Sequence, residues 1–277
     1  MEHVVDFFVI GAQKAGTTAL ASFLAMHPAI QMARIKEIHH FDNEDMIDWS
    51  SPNHDRLHQY FDWSKPNVTR GEATPIYMFW PLAIERIFAY NHKARLIVGL
   101  RHPVCRAYSQ WRMNVSRGQE PLDFLSATDP KGRARLCDGS LSSKRLYSYI
   151  ERSLYSRQIS NIFELFPRCQ VHFYRTDDLW SMPVDTTMRT MEFLRVPAQD
   201  LVDSAPVYIS PYESRDSTVL NMSEMIDFNQ LFIEDIMATE KMTDLDLSDW
   251  RRSDYQEPMV AVTEHRKFCR KTPLSEP

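Results

Sequence analysis

Two clusters in this sequence have the residue types and spacing to hold anions. The first is Gly11-Ala12-Gln13-Lys14-Ala15-Gly16-Thr17-Thr18, which uses two of the chain's seven glycines. It lies between an apolar run, Val4–Ile10, and an amphipathic stretch, Thr17–His27, stopped by Pro28, so it reads as the loop of a strand-loop-helix unit. A glycine-bounded loop can turn its N–H groups inward, and the helix that follows adds unpaired N–H groups and a positive dipole end. Thr17 and Thr18 bring hydroxyls and Lys14 a mobile charge, a set suited to phosphate or sulfate. The second cluster is Arg101-His102-Pro103-Val104-Cys105-Arg106-Ala107-Tyr108-Ser109-Gln110-Trp111, which follows the strand-like Ala94–Leu100 and opens a helix over Val104–Val115. Arg101 stands at the strand's carboxyl end and Ser109 about two turns into the helix. Arg101, Arg106, Arg112 and Arg117 fall in a stretch, 93–117, that holds no acid. Open α/β sheets bind ligands outside the carboxyl ends of their strands, which is where both clusters are expected. The competing readings are an ordinary strand-to-helix turn and a solvated basic helix face.

The first spacing is close to the phosphate loop G-x-x-x-x-G-K-[ST], but Thr17 follows Gly16 and the lysine sits inside the loop. Arg101 also stands where a nucleotide-hydrolysing strand often carries an acid for Mg²⁺, so metal-assisted phosphoryl transfer lacks two supports. His39-His40 suggests a metal pair, yet neighbours on a strand point to opposite faces and no third ligand follows at metal-site spacing. No metal is expected.

The elements that must carry these clusters alternate. Further helices are predicted over Phe79–Tyr90 and Ser153–Phe166 and a further strand over Gln170–Tyr174. Strands separated by helices imply an α/β fold with a parallel sheet flanked by helices. Residues 200–250 carry twelve Asp/Glu against two Lys/Arg, with helical spacing over Met222–Ala238, which predicts a helical C-terminal part. The chain of 277 residues fits a single domain over 1–250, followed by a tail, 251–277, without periodicity and expected to be partly mobile. A net charge of −5 argues against a nucleic-acid binder. Four scattered cysteines, the lack of an apolar stretch of membrane-helix length and a strand already begun at Val4 predict a cytoplasmic protein with neither a signal peptide nor a membrane partner.

Together these segments resemble the sulfotransferases that use 3′-phosphoadenosine 5′-phosphosulfate (PAPS), in the branch of the heparan sulfate sulfotransferases and their soluble bacterial relatives. Gln13-Lys14-Ala15-Gly16-Thr17-Thr18-Ala19-Leu20 is similar to that family's 5′-phosphosulfate loop, and Arg101 with Ser109 to its 3′-phosphate pair. Lys36-Glu37-Ile38-His39-His40-Phe41-Asp42 resembles the segment carrying the catalytic glutamate, and Gly71-Glu72-Ala73-Thr74-Pro75-Ile76-Tyr77 the substrate-side stretch. The likeness continues through Arg152-Ser153-Leu154-Tyr155 and Asp246–Trp250. Ala73 departs from the pattern, replacing a lysine that holds anionic sugars in the polysaccharide-modifying members. The basic cofactor loop expected near 205–220 is also absent, leaving Arg215 as its substitute.

The resemblance implies PAPS as donor, its spent form 3′-phosphoadenosine 5′-phosphate (PAP) as product, and no metal. Gln13 to Thr18, Arg101, Ser109, Tyr155 and Arg215 would bind the nucleotide. Lys14 would stabilise charge on the leaving phosphate and Glu37 would be the base, with His39 orienting it or replacing it. Glu37, His39, Glu72 and Tyr77 would face the acceptor, and Trp49, Trp63, Tyr77, Phe79 and Trp80 can line its pocket or pack in the core. A small metabolite is the expected acceptor, whether hydroxyl or amine. A polysaccharide sulfotransferase, an atypical nucleotide kinase and a non-catalytic nucleotide-binding module are the alternatives.

Overall fold

Among the described residues five strands form one sheet, β1 (Phe7–Gly11), β2 (Ile30–Met32), β3 (Thr69–Ala73), β4 (Arg95–Leu100) and β5 (Val171–Arg175), in the order β2-β3-β1-β4-β5. Every pairing is parallel. The structure is a computed structural model that describes residues 3–197 and 222–258. From β1 the chain moves out to β2 and β3 on one side, then crosses to β4 and β5 on the other. The topology therefore switches between β1 and β4, and that crevice is where such sheets bind ligands.

The helices follow as α1 (Thr17–Ala25), α2 (Asp55–His58), α3 (Ala83–Tyr90), α4 (Pro103–Ser116), α5 (Phe124–Thr128), α6 (Pro130–Arg133), α7 (Leu141–Tyr147), α8 (Tyr155–Phe163), α9 (Thr176–Ser181), α10 (Pro183–Leu194), α11 (Met222–Asn229) and α12 (Ile233–Thr243). β1 reads as an unbroken apolar run because both faces are covered. Phe7 and Val9 pack with Leu20, Phe23 and Leu24 of α1 and Met191 and Leu194 of α10. Phe8 and Ile10 face the other way, onto a core containing Ile84 and Ile87 of α3, Ile159 and Ile162 of α8, and Ile236 of α12. Fully burying each such side chain contributes about 1.5–3 kcal/mol, which fixes β1 and the loop at its end.

The parallel α/β architecture and helical C-terminal part are as predicted, with differences at the edges. β2 and β3 have no strand signature: β3 is Thr-Arg-Gly-Glu-Ala, and its place between β1 and β2 makes it a strand. The third helix starts at Ala83 rather than Phe79, because Pro81 and the left-handed Leu82 hold the preceding residues in turns. The stretch Met222–Ala238 is interrupted by a 3-10 turn at Gln230–Phe232 and runs on to Thr243. The expected break after residue 250 does not end the packed body, since Tyr255 stacks on His102 and Glu257 pairs with Arg101.

Candidate active site

β1 delivers the first loop to the crevice, and three contacts shape it. Ala12 N–H donates to Gly99 O of β4 at 2.7 Å, the Tyr174 hydroxyl donates to Ala15 O at 3.1 Å, and Arg101 Nη1 donates to Lys14 O at 3.0 Å. Tyr174 reaches the loop only because residue 99 is glycine; a Cβ there would stand 2.4 Å from its hydroxyl. Gly16 caps α1 at φ 73° and would place a Cβ 2.9 Å from Leu179, so both backbone conformation and space select glycine. α1 has no acid in its first turn and no side chain capping its N–H groups, which leaves its positive end open to an anion.

Four cations converge here. Burial, then Arg101 and Arg117, lower the Lys14 pKa to about 8. Arg152, 3% exposed, donates to Gln13 Oε1 at 2.5 Å and to the carbonyls of Lys144 and Arg145, and no acid pairs with it among the described residues. Burial, then Arg106 and Arg145, lower its pKa to about 9. Arg106 is wholly buried on Ser153, Gln110 and the carbonyl of Tyr149, its pKa lowered to about 10 by burial. Desolvated cations that repel one another are relieved by an arriving anion. Arg101 completes the group, lying over Trp180 with Ser109 half-buried on α4.

Tyr155 is fully buried and donates its hydroxyl to Arg101 O at 2.8 Å, so it acts behind Arg101 instead of touching a ligand as expected. Arg215 lies outside the described residues.

Across the crevice, Glu37 N–H donates to Ala73 O at 3.0 Å, which seats the second segment on β3. Glu37 and His39 do not share the face of an extended segment, since both are left-handed at φ 61° and 53°. The two turns still bring His39 Nε2 to 3.7 Å from Glu37 Oε2. Burial alone would raise the Glu37 pKa, but Lys36, by charge and a 2.5 Å hydrogen bond, with His39 and Arg117, holds it below the ordinary glutamate value. His39 Nδ1 lies 2.7 Å from Asp42 Oδ2, which also accepts from Arg145 Nη1 at 2.7 Å. Asp42 thus holds the ring with Nε2 toward Glu37.

Glu72 and Tyr77 hold this segment from beneath, a correction to their expected place against the acceptor. Both are 0% exposed. Glu72 accepts from the Thr74 hydroxyl and from Ile38 N–H at 3.4 Å, while the Tyr77 oxygen accepts from His40 N–H at 3.0 Å and Phe41 N–H at 3.4 Å. Burial pushes the Glu72 carboxyl up to about 7. The five aromatics do not form one pocket. Trp63 stacks on His3 and Trp49 lies under Arg86, whereas Phe79 and Trp80 remain by the crevice under Arg152 and Arg145. His40 turns to His54, 2.9 Å away.

Asp42 and Arg145 are site residues that the sequence reading missed. Asp42 follows His39 by three residues, a spacing that signals contact only once the turn is known. Arg145 comes from α7 and carries no local signal.

A parallel sheet with a glycine-bounded loop and an arginine meeting at its switch point defines an α/β protein with a basic crevice and a second polar centre at the same edge. The sulfotransferase domain family matches residues 5–265, and the chain belongs to it. It is 28% identical over 207 residues to the Mus musculus heparan sulfate glucosamine 3-O-sulfotransferase 5, covering 71% of this chain and 55% of that protein. To the Mus musculus heparan sulfate glucosamine 3-O-sulfotransferase 3B1 it is 32% identical over 190 residues, covering 67% and 45%. The chain spans about half the length of these curated relatives. A sulfotransferase from Alicyclobacillus acidocaldarius superposes over 91% of this chain and 100% of its own, with a TM-score of 0.71 and 26% identity.

Proposed function

We propose that the protein moves a sulfuryl group from PAPS to a hydroxyl or amine of a small metabolite. The observation that carries this reading is the meeting of Lys14 and Arg101, 3.0 Å apart through the Lys14 carbonyl, at the β1/β4 switch point, with Glu37 and His39 on the neighbouring edge. The residues fit the donor: the acid-free start of α1 with Lys14, Thr17 and Thr18 suits the 5′-phosphosulfate, and the Arg101 fork, which already grips a carboxylate, suits the 3′-phosphate.

When bound, PAPS supplies the sulfuryl group. Glu37 takes the acceptor's proton, and His39, fixed by Asp42, orients Glu37 and the acceptor. Lys14 places positive charge where negative charge grows on the leaving phosphate, and the loop N–H groups hold the oxygens that do not transfer. Ala73 supports a small acceptor over an anionic sugar. The relatives' names keep a polysaccharide as the second reading, and Lys36 and Arg145 at the rim favour it. We place the reaction in the cytoplasm, a reading supported by free Cys105, Cys137 and Cys169 and by the lack, among the described residues, of a helix long and apolar enough to cross a membrane.

Equilibrium binding of PAP against ADP and ATP, with and without Mg²⁺, tests the donor. PAP should bind tightest without metal, and Arg101→Ala should weaken it by about 1.5–3 kcal/mol. Tighter Mg²⁺-dependent ATP binding would make the protein a kinase. Transfer of labelled sulfate from PAPS to a panel of phenols, alcohols, amines and desulfated heparan oligosaccharides decides the acceptor; PAP binding with no transfer would leave a nucleotide-binding module.

A further inference from the structure

The guanidinium of Arg101 already holds an anion. After Trp250 the chain returns across the carboxyl end of β4, where Tyr255 lays its ring on His102, with 4.4 Å between centroids and 12° between planes, and donates its hydroxyl to Asp177 Oδ1 at 2.6 Å. Two residues on, Glu257 closes a two-pronged pair with Arg101, Oε1 on Nε and Oε2 on Nη2, both at 2.6 Å. The third nitrogen, Nη1, is spent on Lys14 O. The side chains are 13% and 20% exposed, so this is a half-desolvated fork-to-fork pair rather than a loose surface contact.

We propose that Glu257 is an internal competitor for the donor's 3′-phosphate: it sits on Arg101 in the free protein and must leave when that phosphate arrives, so it sets both donor affinity and the release of spent nucleotide. The proposal rests on Arg101 being the 3′-phosphate arginine. One guanidinium edge cannot take two anions in this two-pronged geometry, and a phosphate beside the carboxylate would repel it. The strap's other anchors, Tyr255 on His102 and Asp177, do not involve Arg101, so Glu257 can swing out while the strap stays seated. Its return is then intramolecular, at high effective concentration. Such a competitor weakens donor binding but shortens the life of the PAP complex, an advantage where product release limits turnover. A nucleotide without a 3′-phosphate need not displace Glu257, so the residue narrows the preference for PAP over adenosine 5′-phosphate.

Calorimetry and stopped-flow release on the full chain test this with PAP and adenosine 5′-phosphate, using the wild type, Glu257→Gln and Arg101→Ala. Glu257→Gln should bind PAP ~3- to 10-fold tighter and release it more slowly, as expected when a competing closed state is removed. Its affinity for adenosine 5′-phosphate should stay within about twofold, since that ligand does not call on Arg101. Unchanged PAP affinity in Glu257→Gln, with Arg101→Ala weakened, would overturn the competitor and leave Arg101 in its role. Equal tightening of both nucleotides would also overturn it, showing only the loss of a negative charge. PAP binding unaffected by Arg101→Ala would remove the placement of the 3′-phosphate on which the proposal stands.

Discussion

Burial is the main cost to the charge on Lys14, and Arg101, Arg117 and Lys36 add to it while Glu37 opposes them. Its protonated form is the one that stabilises a leaving phosphate, so the role should be lost as pH rises through about 8. The expected profile of kcat/KM has an alkaline limb near that value, which Lys14→Arg moves upward and Lys14→Ala replaces with a low, flat rate while the fold persists. In kcat the limb should lie higher, because bound nucleotide anions favour the charged lysine. The acid side separates the two candidate bases. With Lys36 holding Glu37 below the usual range, a Glu37 base leaves activity level as pH falls from 7 toward the ordinary glutamate range, and an acid limb inside that window would count against Glu37. Glu37→Gln should cost ~10²–10⁴ in rate with PAP affinity nearly unchanged. An active Glu37→Gln beside an inactive His39→Ala would transfer the role to His39, and two active variants would point to an amine that attacks already neutral.

At the scale of elements, what was legible were those whose periodicity reports burial. β1 is apolar throughout, and β4 from Leu96 onward, because the sheet is covered on both faces, and α4 and α8 show their stripes. β3 was not legible, since its buried residues are Gly71, Glu72 and Ala73 and its strand state comes from β1 and β2 on either side. The start of α8 shows a related limit. Leu154 makes no side-chain cap; instead Asp235 of α12 accepts from Tyr155 N–H at 2.7 Å and Ser156 N–H at 3.1 Å, a cap drawn from eighty residues away. Asp235→Ala should therefore cost about 1–2 kcal/mol, the usual effect of losing a helix cap. For a chain of this size that lowers the melting temperature by ~2–6 °C. Because α8 also carries Tyr155 beneath Arg101, PAP binding should weaken in the same variant. A melting loss with unchanged PAP affinity would show that α8 supports stability without positioning Arg101.

Across the whole molecule, a net charge of −5 hides a basic crevice, and composition alone shows only the former. The local motifs, Gln13 to Thr18, Arg101 and the 37–39 segment, were legible because strand ends bring short stretches of sequence to one edge of the sheet. Asp42, Arg145, Arg152 and Glu257 joined the site through turns and long returns of the chain that have no period. Glu72 tests how the two levels are coupled. The motif around it pointed to the acceptor, but its fully buried carboxyl lies under the Glu37–His39 segment with Oε2 unpartnered, and burial raises its pKa to about 7. The folded protein thus binds this proton more tightly than the unfolded chain, whose glutamates titrate near ~4.3. Stability from Glu72 is then fully present at low pH and declines as pH rises between those values, by at most ~3–4 kcal/mol, levelling off above about 7. Glu37 and Asp42, both lowered, act in the opposite sense and lose stability as pH falls. The wild-type melting curve mixes the two trends, so the informative quantity is a difference. Glu72→Gln keeps a neutral amide in place of the neutral acid and can still accept from Thr74 and Ile38. Its stability relative to wild type, followed by denaturant unfolding, should rise from pH 5 to pH 7.5 and stay level beyond. A difference that does not change with pH would mean that Glu72 is already ionised in the folded protein, with a cation or water supplying the missing partner.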